Sequence, residues 1–389
     1  MMDVHYFNDP ELNGISESML ESLADFIRQV WDPTTTRESI IIDRRKEYLE
    51  NPYAAGGGMP LALLTEGDRV VGHVKSIPCK VWAGGTERLA YWNAGLHLLD
   101  ECRGKGLGSI LPQKTIDTLP LVTGFFVVEQ QLRTHTKMGW TIVGKIPEYI
   151  KVLNAGQFFR QIDLSGIAQM PEALKRITRH RSSPLRTGAS WVYQLVMGGH
   201  RVYMAVTSGR PKPIGSLATV PSFDHRVDAL WDRSKPFIHS AQVRSSGYMN
   251  WQFPAEDGWI KATYMEEGSL QGCAVLSMKT FEQGHSLSGL KVFSIIDVFW
   301  DFTCPHVLKG MLTRIEDLAR SKGADVVLCS IANSYASRCL HDRGFLNIPG
   351  TVYFAFHARD AFPGIASGID EWFFTRGDAD AAGSLGPSQ

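Results

Sequence analysis

Apolar positions along the chain change their spacing in a repeated order. Residues 89–99, LAYWNAGLHLL, form an aliphatic and aromatic run short enough for a strand, and SILPQKTIDTL from Ser109 returns to helical spacing through Ile110, Lys114 and Asp117. LVTGFFVV (121–128) predicts a buried strand, and EQQLRTHTKMGW a short helix closed by Gly139 at its C-terminal end. The second half repeats this. Tyr48 and Gly72 recur as Tyr248 and Gly272, HLLDECRGKGLGSIL matches VFWDFTCPHVLKGML with Asp100 on Asp301, FFVV matches DVVLCS, and KMGW matches DRGF. The strands EYIKVL and TVYFAF are expected to close the two copies, and matched segments at an almost fixed shift predict an internal duplication.

The predicted fold class is α/β, a mixed sheet with helices, arranged as two tandem domains of one kind. Domain boundaries are expected at 1–160 and 191–375, with a helix-containing linker over 161–190, where QMPEALKRITRHRSSPLRTGAS breaks the apolar pattern. The tail 376–389 lacks large apolar groups and is expected to be disordered. A chain of 389 residues, 44% hydrophobic, is long enough for two cores. Forty basic and forty acidic residues cancel, so neither a nucleic acid nor an anionic membrane is an expected partner. The N-terminus carries no basic region followed by an apolar run, which predicts a soluble, cytoplasmic protein. Six scattered cysteines without C-x-x-C spacing predict free thiols and no metal.

The chemistry is expected in ECRGKGLGSIL, where three glycines fall between a strand and a helix. Gly104, Gly106 and Gly108 let the backbone curl so that several N–H groups face one anion at the positive end of the following helix, and Arg103 and Lys105 add charge. That is a cradle for a phosphate or pyrophosphate. A Walker loop and a dinucleotide fingerprint both need spacings that are absent.

Arg103-Gly104-Lys105-Gly106-Leu107-Gly108 matches R/Q-x-x-G-x-G/A, and HTKMGW (135–140) resembles Y-x-K-x-G-F. By these motifs the chain resembles the GNAT superfamily of N-acyltransferases over residues 40–155 and, through the duplication, over 240–358 with poor motifs. The resemblance implies a tandem GNAT-like protein with a degenerate second domain. It also implies transfer of an acyl group from acetyl-CoA or another acyl-CoA, as co-substrate, to the amine of a small molecule. The main chain of Leu96 and Leu98 would then meet the thioester and pantetheine, and the amides from Arg103 to Gly108, Leu107 included, the pyrophosphate. The second copy has Cys304-Pro305-His306-Val307-Leu308-Lys309 at the aligned positions, where Pro305 lacks an amide donor and no glycine remains. One acyl-CoA site per chain is expected.

For proton transfer the resemblance implies a tyrosine where this chain has His135, whose imidazole titrates near neutrality. Glu129 after LVTGFFVV, and Asp100 or Glu101 beside the cradle, are candidates for the base or for a water relay to it. His97 alternates with Leu96 and Leu98 along its strand, and Cys102 lacks the histidine–asparagine partnership of a thiol nucleophile. Two other readings stay open: a transferase whose donor rides on acyl carrier protein or aminoacyl-tRNA, as in the Fem enzymes, and an acyl-CoA-binding protein without turnover. A homodimer is compatible with all three.

Overall fold

Residues 2–56, 58–126, 129–162, 184–207, 214–281, 287–348, 350, 352–360 and 362–378 are described by the computed structural model of the chain. It divides into two units, the first made of 1–145, 238–252 and 351–371. In this unit β1 (Met2–Phe7), β2 (Leu61–Glu66), β3 (Arg69–Ala83) and β4 (Thr86–Leu98) pair antiparallel in order. β5 (Leu121–Phe126) then runs parallel to β4, and the strand Tyr353–Ala358 lies antiparallel between β5 and β6 (Thr141–Lys145). Among the described residues the helices of this unit are α1 (Glu17–Val30), α2 (Arg37–Glu50), α3 (Ile110–Thr118), α4 (Glu129–Lys137) and the short helix Ser246–Gln252.

Helix α1 starts where the Ser16 side chain accepts the Met19 N–H, and its apolar stripe buries Leu20, Leu23, Ala24 and Phe26 beside Leu63, Leu64, Val71 and Val74 of β2 and β3. Trp92 marks the centre of the sheet. It is 2% exposed, stacks 4.9 Å from Phe125, and its indole N–H donates to Gln242 on the short strand Ser240–Gln242.

The second unit comprises 146–237, 253–350 and 372–389. Its hairpin repeats the register of β3 and β4: Gly72 faces Leu98, Gly272 faces Trp300, and the bonds Leu99 N–H to Val71 and Asp301 N–H to Gln271 are equivalent. Gly139 and Gly344 both end a helix at φ +84° and +81°, and Trp140 and Phe345 each donate back to a carbonyl five residues earlier, of His135 and Leu340. The duplication is thus a duplication of backbone geometry.

The units differ from the contiguous division read from the sequence. Strand Glu148–Val152, in EYIKVL, pairs with Val326–Ser330 in the second unit, whereas Tyr353–Ala358, in TVYFAF, pairs with β5 and β6 in the first. Each closing strand serves the sheet of the other copy. Equivalent strands fit equivalent edges, and alternation along a strand does not specify which edge it joins. Most of the expected linker, 163–183, lies outside the described residues, and from Pro184 the chain forms a helix to Thr207. Of the tail expected from 376, the first residues are held in place, Arg376 donating its amide to Ser330 and Gly377 to Ile296, and 379–389 lie outside the described residues.

Candidate active site

Strands β4 and β5 part company. Among the described residues they pair only at Tyr91 with Val122 and Trp92 with Thr123, while β4 stays on β3 as far as Leu98 with Gly72. The last residues of β4 therefore turn away from β5 and open a cleft of about 750 Å³. Leu96, His97 and Leu98 line it from β4, Arg103, Gly104, Gly106 and Gly108 from the turn, and Gln131, Thr134 and His135 from α4.

Gly104 and Gly106 both sit at φ +76°, a conformation costing an L-residue roughly 1–2 kcal/mol. A Cβ at either would meet no atom within 4 Å, so backbone conformation requires glycine here, not crowding. Gly108 is absent from the positive-φ positions and faces the same open space. Helix α3 follows with Ser109 as its cap residue, and no side chain caps it. Leu107 packs against the core of β2, β3 and α1 and pins the turn, while Lys105 is exposed. The Arg103 guanidinium lies 2.9 Å from Asp100 and 3.5 Å from His97 Nε2.

The expected catalytic residues separate. His135 reaches the cleft, 2% exposed, on the same face of α4 as Gln131. Its Nδ1 lies 2.7 Å from the Gln131 carbonyl, which only accepts, so Nδ1 carries the proton and Nε2 the lone pair of the neutral ring. Burial holds its pKa below the ordinary histidine value, against the opposing pull of that carbonyl. Glu101 points elsewhere and pairs with Arg69 at 2.5 Å, both side chains about half exposed. Glu129 is the first residue of α4, and residues 127 and 128 between it and β5 lie outside the described residues.

His97, on the cleft wall, is backed by aromatic rings of α1 and its end. His97 packs edge-on against Trp31, 5.8 Å away, and Phe26, 6.1 Å away. Its pKa is lowered by burial and further by Arg103, with Asp100 opposing. Trp31, at the end of α1, stays 48% exposed beside it. Sequence reasoning left the orientation of His97 open and missed Gln131 and Thr134 of the cleft, and the packing of Trp31 on His97. The spacing of Gln131, Thr134 and His135 on one helix was a usable signal, whereas nothing local connects Trp31 to β4.

Behind His97, the His73 Nδ1–H donates to the Gly95 carbonyl at 3.0 Å, and burial pushes its pKa down to about 4. In the unfolded chain the same group titrates near 6.5. The unfolded state therefore binds the extra proton between these values, so stability falls as the pH drops from 6.5 towards 4, by about 3 kcal/mol in all. Denaturant midpoints of wild type and His73→Gln at pH 7 and pH 4.5 check this. A smaller pH difference in the variant is expected, and an unchanged one would count against the buried neutral imidazole.

The second unit closes the equivalent opening with its own chain. Val292–Ile295 pair parallel with Val326–Cys329, and past that point the strand Trp372–Thr375 pairs with Ile331 and Ala332. Gly377 N–H then donates at 2.7 Å to Ile296 on the other side of the gap. The helix His306–Ser321 starts after Pro305 with no glycine turn before it. Among the described residues no group of three His, Cys, Asp or Glu side chains could hold a metal ion, and no helix is long and apolar enough to cross a membrane.

No protein-family model and no curated protein matches the chain. Solved structures do. A GCN5-related N-acetyltransferase from Anabaena variabilis matches with TM-score 0.55 and 13% identity over 92% of this chain and 73% of its own. N-myristoyltransferase from Saccharomyces cerevisiae, with bound myristoyl-CoA, matches with TM-score 0.54 and 13% identity over 93% of this chain and 80% of its own. A probable N-acyltransferase from Enterococcus faecalis matches with TM-score 0.54 and 10% identity over 92% and 73%. The chain has the GNAT fold, in the tandem arrangement that fits N-myristoyltransferase.

Proposed function

We propose that the chain is an acyl-CoA-dependent N-acyltransferase acting on the amine of a small molecule. The observation that carries this reading is a parted strand pair whose gap ends on a left-handed glycine turn and an uncapped helix start, with a neutral imidazole facing in. The amides of the turn and of α3, with Arg103, are suited to the pyrophosphate of coenzyme A. Past Trp92 the main chain of Leu96 and Leu98 is suited to its pantetheine arm. The co-substrate supplies an activated thioester. In the transfer a C–N bond forms and the C–S bond breaks. His135 Nε2, unprotonated at neutral pH, accepts the proton of the attacking amine and delivers it to the sulfur of the departing thiolate. Glu101 is the weaker candidate for this task because it is engaged by Arg69. Acetyl-CoA is the donor expected from the motifs, and the myristoyl-CoA bound by the yeast neighbour makes longer acyl chains equal candidates.

A panel of primary amines incubated with acetyl-, octanoyl- and myristoyl-CoA tests the reading, with free thiol and product mass as readouts. Thiol release that requires an amine and yields the amide is expected; tight CoA binding without release for any pair would contradict it. Arg103→Ala is expected to weaken CoA binding by about 1.5 kcal/mol, the lower end for hydrogen bonds to charged groups because the turn is exposed. Calorimetry should show no such loss for pantetheine, which lacks the phosphates. Equal wild-type affinity for CoA and pantetheine would remove Arg103 from the phosphate site.

A further inference from the structure

The helix Pro184–Thr207 turns its polar residues Arg186, Ser190 and His200 inward or to one side and leaves an apolar face outward. Its inner face is docked: Arg186 donates to the Phe159 and Arg160 carbonyls at 2.7 and 2.8 Å, Tyr193 packs 5.8 Å from Phe159, and Met197 is 8% exposed. Its outer face carries Trp191, Val192, Leu195, Val196, Val202 and Val206, each between 61% and 80% exposed. A contiguous exposed apolar stripe of this size on a helix normally marks an interaction surface, so this face calls for a cover.

Two details identify the occupant. Gly198 and Gly199 stand side by side in the middle of the helix, where each costs about 1 kcal/mol relative to alanine, and a Cβ on either would meet nothing within 4 Å. Adjacent mid-helix glycines on an open face allow another backbone to come close. The large apolar residues are also spaced evenly about that pair: Trp191 and Val206 are equally far from it, as are Leu195 and Val202. A copy of the same helix, crossing antiparallel at the glycines, would set Trp191 of one chain against Val206 of the other and Leu195 against Val202. This is the self-complementarity that a two-fold interface requires. The stripe runs about 22 Å at 1.5 Å per residue. Its bare side chains offer area on the order of the ~800 Å² per partner of a standard interface.

We propose that this face is a dimer interface, occupied by the same helix of a second copy of the chain. The full chain is measured by light scattering on a sizing column and by sedimentation equilibrium, at concentrations spanning about 1 to 50 µM, a range bracketing micromolar affinities. A two-chain mass is expected, falling to one chain in Leu195→Glu and in Val202→Glu with unchanged far-UV dichroism, since both positions are exposed in the monomer. Gly199→Cys, at the crossing, is expected to form an intermolecular disulfide under mild oxidation, and Val206→Cys is not, because its own copy lies at the far end. A monomer throughout overturns the proposal, as does a dimer that survives both glutamates. A monomer whose sedimentation with phosphatidylcholine–phosphatidylglycerol vesicles is lost in Leu195→Glu assigns the face to lipid instead. A monomer whose Trp191 is shielded by residues 163–183, read by cross-linking within one chain, assigns it to the chain itself.

Discussion

His135→Phe is expected to lower kcat by roughly 10²–10⁴-fold, the contribution typical of a positioned proton-transfer group, while leaving CoA affinity nearly unchanged. The ring fits against Trp140, whose centroid is 5.0 Å away, so phenylalanine keeps the packing and loses only the nitrogens. The wild-type rate should also carry an acid limb. Burial lowers the His135 pKa, so the neutral, proton-accepting form persists below the ordinary histidine value near 6.5, and kcat/KM falls only as the pH drops further. His135→Phe should lose that limb along with the rate. Steady-state kinetics from pH 5 to 9 with a competent amine are decisive. An unchanged rate and profile in the variant would mean that the proton travels by another route, with His97 the next group on the same cleft.

Features set by neighbours in the sequence were the legible ones. The glycines of Arg103–Gly108 announce their positive φ because few other residues tolerate it, and Gly139 announces a helix end for the same reason. Strand β4 and helices α3 and α4 follow from periodicity within one or two turns. Features set by distant partners were not legible. Trp31 meets His97 only because the end of α1 lies across β4, and His73 is neutral only because β3 is buried there. The exchange of Glu148–Val152 and Tyr353–Ala358 between sheets is of the same kind, since both strands carry the pattern either edge would accept. The expected linker ended at 190, whereas the helix that starts at Pro184 runs on to Thr207, and nothing local in the sequence marks its apolar outer face as exposed.

The central claim is that one copy keeps an acyl-CoA cradle and the other has filled its own. Gly106 is the residue through which to test it, because φ +76° is far from the roughly −65° that proline imposes, and proline also removes an amide from the turn. The turn is exposed and a side chain there meets nothing within 4 Å, so the backbone strain of Gly106→Pro stays local and the variant should fold, with a somewhat lower melting point. In the second unit Gly377 bonds across the gap to Ile296, and Pro305 precedes the helix, so no second site is expected. Titration calorimetry of CoA into wild type and Gly106→Pro measures both halves of the claim at once. A stoichiometry near one per chain, falling to no measurable binding in the variant, is the predicted result; a stoichiometry near two, or unchanged binding in a folded variant, would contradict the account.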